Sequence, residues 1–210
     1  MEILPVIILS LFVSLTATFI ASFIGLTASI PVALSNSKYK AVLLRITDTL
    51  MSLPPVLMGL VVYLMLSRKG PLGSLQMLFT PGAMIIAQVL LVLPIIFGLS
   101  VSTISKNVVE IEKTCVSLGA RRLDLYIIIF KECKKQMLSV VTAGFGRAIS
   151  EVGAVMMVGG NIAGHTRVMT TYIALETGKG NFSGSIEMGL VLLFLSFLIN
   201  FILHTAKDKY

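Results

Sequence analysis

Arg147 and Glu151 stand four residues apart in AGFGRAISEVGAVMMVGG (143–160), a stretch otherwise built from apolar and small residues. Four-residue spacing puts both charges on one helix face, and an ion pair at membrane depth persists only where that face meets the bundle interior or water. Two chemistries fit the pair. It is either a mutual structural clasp or a source of positive potential and gating along an anion route. Gly144 and Ala148 recur at the same interval, as do Gly146, Ser150 and Ala154, a spacing that lets two membrane helices approach closely. Gln88, alone in another apolar run, is an interhelical hydrogen bonder or a pore-lining group. Pro54 and Pro55 in SLPPVLMGL remove two backbone donors and force a kink, which serves either packing or a hinge beside a pathway.

Catalytic chemistry finds little support. The chain has no G-x-x-x-x-G-K-[ST] phosphate loop, so it is not expected to hydrolyse a nucleotide itself. It has no Ser-His-Asp or His-Glu-x-x-His arrangement, and His165 and His204 are isolated. Cys115 and Cys133 lack CxxC or histidine spacing, so reduced thiols are expected, with no metal site and no disulfide.

The elements that must position these residues are membrane spans. Of 210 residues 56% are hydrophobic and only 13% charged, with mean hydropathy +0.95. That exceeds the apolar share of soluble domains and implies an all-α integral membrane protein of one domain. About five spans are predicted, over residues 3–34, 49–67, 81–105, 137–160 and 186–204. Pro31 marks the exit of the first, residues 36–48 form a short basic loop, Pro81 opens the third and Pro94 kinks it. No cleavable leader is expected, because Met1-Glu2 lacks a basic n-region and the first apolar run is too long.

The long polar interruption is KNVVEIEKTCVSLGARRLDLYIIIFKECKKQ (106–136). Val108, Ile111, Cys115 and Leu118 give one amphipathic helix, which ends at Gly119. Leu123, Tyr126, Ile127 and Phe130 give a second, kept out of hydrocarbon by Arg121, Arg122, Lys131, Lys134 and Lys135. A helix-glycine-helix element on a membrane surface follows. A net charge of +7 does not indicate nucleic acid here, since the basic residues flank apolar spans and act on orientation. Twelve Lys and Arg fall on the side of residues 106–136 and four (Arg68, Lys69, Arg167, Lys179) on the other. The polar segment and the C-terminus are therefore expected in the cytoplasm and the N-terminus outside. Residues 161–185 then form an outer loop, in which Val168, Met169, Tyr172, Ile173 and Leu175 fit a short interfacial helix ending at Gly178.

Lys113-Thr114-Cys115-Val116-Ser117-Leu118-Gly119, with Ile129 ten residues beyond the glycine, resembles the coupling segment of ABC importer permeases. Lys113 stands where that family has Glu, Thr114 and Cys115 where it has two Ala, and Lys131-Glu132 where it has Leu-Pro. Gly144 to Ala154, then Val158-Gly159-Gly160-Asn161-Ile162 and Thr166-Arg167-Val168-Met169-Thr170-Thr171, is similar to the tungstate branch of the molybdate/tungstate/sulfate permeases. The Leu-Pro-Pro, Gly59 and Gly70-Pro71-Leu72-Gly73 blocks resemble it too, and matching blocks span roughly residues 45–183.

The resemblance implies a type I ABC importer permease fold. It also implies a homodimer carrying tungstate, with molybdate or sulfate as alternatives, served by two ATPase subunits and an extracytoplasmic oxyanion-binding protein. ATP and magnesium would belong to the ATPase, membrane lipid would surround the spans, and this chain would hold no cofactor. The expected coupling residues are Glu112, Thr114, Cys115, Leu118, Gly119, Ala120, Arg121 and Ile129. Pro54, Pro55, Gln88, Arg147, Ser150, Glu151 and Asn161 are the path or gate set, and Arg167, Thr170, Thr171 and Glu176 the docking set. A stand-alone channel or ion-coupled transporter is the reading from a different class. It would ordinarily show an ionisable relay or internal repeats, of which the spans offer little.

Overall fold

The computed structural model describes the backbone of residues 3–35 and 37–208, with side chains through Thr205. The leader reading at Met1-Glu2, Asn36 of the expected loop, and Lys209 and Tyr210 of the tail lie outside the described residues. In chain order the helices are α1 (Ile3–Leu34), α2 (Lys38–Met51), α3 (Pro55–Leu66), α4 (Pro81–Ser117), α5 (Arg122–Glu132), α6 (Lys134–Ile149), α7 (Gly153–Gly159), α8 (Met169–Gly178) and α9 (Phe182–Asp208), with one 3-10 turn at Gly73–Leu75. No strand occurs among the described residues.

Helix α4 is the central column, packed by α1, α2, α3, α5, α6 and α7. Thr80 caps its start, accepting from the Ala83 N–H, and Pro81 supplies a preset φ where no donor is needed. The helix continues through Pro94 to Ser117, 37 residues in all. It does not stop near Ser105 as expected, and the first coupling helix is its continuation. Helix α1 lays a small-residue face (Ser14, Ala17, Ala21, Gly25) on α4, where a Cβ at Gly25 would lie 3.0 Å from Ile96. Its opposite face exposes Phe12, Phe19 and Phe23, a surface suited to lipid. Pro31 sits in the last turn of α1, three residues before its end.

Two expected spans are broken. Residues 38–51, read partly as a basic loop, form α2, capped by Ser37. The lysines and arginine there masked an amphipathic helix whose inner side meets α4, and Lys40 donates to Ala33 O (2.8 Å) and Ser105 Oγ (3.3 Å). The second span is therefore not one rod: Ser52–Pro54 separate α2 from α3, whose axes differ by 99°. At 12 residues α3 is about 18 Å long, too short to cross a ~30 Å core alone. The fourth span breaks at Ser150–Val152, between α6 and α7, with a bend of 56°. The last helix starts at Phe182, inside the expected outer loop. Among the described residues three helices are long and apolar enough to cross a membrane, and the count reaches five if each bent pair makes one span.

Candidate functional site

The two breaks lie against each other. Met58, Val62 and Leu66 of α3 share a core with Ala154, Val155 and Val158 of α7 and with Ala83, Met84 and Ala87 of α4. Gly59 makes this possible, since a Cβ there would lie 2.7 Å from Ala154 Cα, and at Gly153 one would meet Val56 at 2.6 Å. Pro55 opens α3 at a position where its missing N–H costs nothing, while the Pro54 carbonyl accepts from Leu57 N and Met58 N.

Side chains hold the second break. The Gln88 amide donates to Ala148 O at 3.0 Å, the Thr170 hydroxyl to Glu151 O at 2.8 Å, and the Glu151 carboxylate takes the Ala154 N–H at 3.1 Å. Carbonyls and an amide freed by the interrupted helix thus find partners away from water. The other carboxylate oxygen binds Arg147 Nη1 at 2.6 Å. Glu151 is 4% exposed but Arg147 33%, so the arginine reaches the open side of the pair. Ser150 is exposed beside it, its hydroxyl donating to Gly146 O at 2.9 Å, and a Cβ on Gly146 would meet nothing within 4 Å. The two small-residue registers therefore part company: Gly144 packs on Val92 and Ile96 of α4, whereas Gly146 and Ser150 face outward.

Of the path residues, Pro54, Pro55, Gln88, Arg147, Ser150 and Glu151 gather around the breaks. Asn161 does not, since it follows the C-terminus of α7, away from both breaks. There, with φ +50°, it accepts from Arg167 Nε through its side chain and from Arg167 Nη2 through its carbonyl, both at 3.2 Å.

At the far end of α4 the chain turns sharply. Gly119 has φ +74°, Ala120 N donates to Cys115 O (2.9 Å) and Gly119 N to Val116 O (3.0 Å), the paired bonds of a glycine-terminated helix. Asp124 then accepts from Arg121 N (3.1 Å) and starts α5, an acidic capping signal that the sequence reading passed over. The face that holds α5 to the bundle is Leu125 and Ile129, followed by Cys133, packed with Val108 and Cys115. Leu123, Ile127 and Phe130, expected on that face, are exposed, as is Leu118. The segment offered two apolar stripes, and α1 and α4 chose the one nearest them. The coupling set thus divides: Cys115 and Ile129 are buried anchors, Glu112 and Ala120 are half-buried, and Thr114, Leu118, Gly119 and Arg121 are exposed. Leu118 is 80% and Leu123 75% exposed beside Arg121 and Arg122, an apolar knob with a basic rim. A cleft of about 630 Å³ opens beside it, lined by Leu34, Glu112, Cys115, Arg121 and Tyr126. Burial raises the Cys133 thiol pKa, against a lowering hydrogen bond with Asn107.

In the 161–185 segment, Thr170, Thr171 and Glu176 are buried and in no position to touch a docked protein. Thr171 Oγ1 caps α8 by accepting from Val168 N, and Met169 N donates to Ser10 Oγ at 2.7 Å, fixing α8 to α1. Glu176 is gripped by Lys179 (2.9 Å) and Asn181 (2.7 Å), which hold its carboxyl below the usual carboxylate range. Arg167 is half-buried on Asn161, and the exposed residues of this segment include Ile162, Ala163, Gly164 and His165 and the run 177–183. Residues 168–171 are buried in an unbroken run, so no helical period in the sequence marks them as inward.

Comparison with known proteins gives this geometry a family. A tungstate uptake system permease protein of Peptoclostridium acidaminophilum is 46% identical over 208 residues, covering 99% of this chain and 91% of its own. A protein of the same description from Campylobacter jejuni is 39% identical over 170 residues, covering 81% and 71%. A sulfate transport system permease protein of Salmonella typhimurium is 23% identical over 217 residues, covering 98% and 78%. Residues 21–208 match the family described as binding-protein-dependent transport system inner membrane component, and the chain, with its bundle of apolar helices and glycine-turned polar segment, belongs to that family.

Proposed function

We propose that this chain is the membrane-spanning permease subunit of an ATP-driven ABC importer that carries tungstate into the cytoplasm by alternating access. The observation that carries the reading is the knob at Leu118 and Leu123. Two large apolar side chains exposed next to two arginines suit a protein partner better than water. The knob terminates an unbroken 37-residue helix, so displacement by an ATPase would be delivered along α4 to the core where both breaks pack. Tungstate as cargo is supported by the relatives at 46% and 39% identity, with molybdate and sulfate as competitors for the same route.

The full assembly in this reading is two copies of the chain, two ATPase subunits and an extracytoplasmic oxyanion-binding protein, set in lipid. ATP and magnesium act in the ATPase. The surface of half-buried Gly146 and exposed Ser150, where a Cβ added to Gly146 would meet no described residue within 4 Å, suits a second copy and the anion route between the two. The uneven Lys and Arg distribution supports an N-terminus outside and a C-terminus in the cytoplasm.

Labelled tungstate uptake into proteoliposomes holding the permease, ATPase and binding protein tests the proposal. Leu118→Asp with Leu123→Asp should leave melting unchanged while abolishing ATPase co-purification and uptake. Full uptake by that variant would reject the coupling role, and ATP-independent uptake by the permease alone would replace an importer with a channel.

A further inference from the structure

A small cavity of about 10 Å³ sits behind the second break, where α1, α4, α8 and the α6–α7 junction meet, with Ser10, Ser14, Gln88, Glu151 and Thr170 supplying its polar wall. Gln88 is 3% exposed and its Oε1 has no hydrogen-bond partner among the described residues, although its Nε2 is committed to Ala148 O. A buried amide oxygen left in this condition costs roughly 1–3 kcal/mol. The nearby hydroxyls do not relieve it, because the Ser10 proton goes to Val6 O (2.7 Å) and the Thr170 proton to Glu151 O (2.8 Å).

We propose that this cavity is a binding site for one ordered water molecule, which donates to Gln88 Oε1 and bridges it to the polar wall contributed by α1 and α8. The volume is that of a single water site, and the wall offers more than the two polar partners such a molecule needs. Ser10 and Thr170 keep lone pairs for its second proton, and the Ser14 hydroxyl can donate to its oxygen. A monovalent cation fits less well. The Glu151 charge is already paired with Arg147 at 2.6 Å, so a further positive charge would be buried in excess. The bound water completes a set of hydrogen bonds that begins with the second break and ends on Ser10, which in turn caps α8. It is a structural ligand of the bent fourth span, independent of which anion is carried.

The test uses the intact transporter in lipid nanodiscs. A map at about 2 Å should contain one peak within hydrogen-bond reach of Gln88 Oε1 and of a second wall oxygen. Ser14→Val, which fills the cavity and expels the water, should melt lower than Ser14→Ala, which leaves room for it, by a few degrees. Melting should be the same in sodium and choline chloride. A map without the peak, Ser14→Val melting at or above Ser14→Ala, or stabilisation specific to sodium would each overturn the water site. None of these readings depends on transport, so they stand apart from the tungstate assignment.

Discussion

The chain breaks two apolar helical segments at adjacent positions, and it does so by different means. The break at Ser52–Pro54 is written into the backbone, since Pro54 and Pro55 cannot donate and Pro54 disfavours a helical Leu53. The break at Ser150–Val152 contains no proline. It persists because Gln88, Thr170 and the Glu151 carboxylate come from three directions to take up the backbone groups that a continuous helix would have paired internally. The first kink is a local property that any environment would reveal. The second exists only while its neighbours remain in place, which makes it the more plausible part to rearrange during a transport cycle.

The largest expected effect separates the two directly. Glu151→Ala removes the cap of α7 and leaves Arg147 without its partner, and should cost about 3 kcal/mol or more, read as a lowered Tm in detergent. Arg147→Met with Glu151→Leu should recover the part of that loss that comes from the unpaired arginine, though not the part from the missing cap on Ala154 N, while transporting tungstate poorly, because the arginine is the member of the pair that reaches the open side. Near-normal uptake by the double variant would show that the route does not use this charge. Gly59→Val comes next. Its side chain must push α3 off Ala154, so a loss of about 1–3 kcal/mol is expected, with both breaks disturbed because α3 and α7 move together.

Pro54→Ala with Pro55→Ala should change stability by less than about 1 kcal/mol yet reduce the bend. Spin labels at Arg45 and Tyr63 should move apart if α2 and α3 straighten, whereas the same substitutions should leave the α6–α7 angle alone. A lengthened α6–α7 distance in that variant would mean the two breaks are not independent. The smallest effect is acid dependence on the α8 side. Lys179 and Asn181 lower the Glu176 pKa, so its stabilising contribution is complete above the ordinary glutamate value of about 4.3 and is lost as pH falls through the lower folded value. Acid melting should therefore loosen α8 and the second break before the first, and Glu176→Gln should remove that pH dependence.

The coupling segment shows how local rules and packing divide the rest. Gly119 is legible without a structure, because a helix-ending glycine followed by Ala-Arg-Arg can only be a turn, and φ +74° with its two backbone bonds is what such a turn requires. Hydropathy likewise located the apolar helices, and the grouped residues around Arg147 were identifiable because charge inside an apolar run has few physical explanations. Which stripe of α5 turns inward could not be read, since Leu125 and Ile129 compete with Leu123, Ile127 and Phe130 on equal hydrophobic terms until α1 and α4 supply a surface. The basic loop expected over 36–48 is helical from residue 38, because charge density speaks for exposure, which is true of most of α2, and says nothing about helicity. Thr170, Thr171 and Glu176, expected on the docking face of a short interfacial helix, have their polar atoms satisfied within the chain instead. Sequence determined where the chain is apolar, where proline and glycine interrupt it and which charges need partners. Tertiary structure alone decided which polar groups meet, and with that the second break, since a hydrogen bond from Gln88 to Ala148 joins residues 60 positions apart that no local pattern connects.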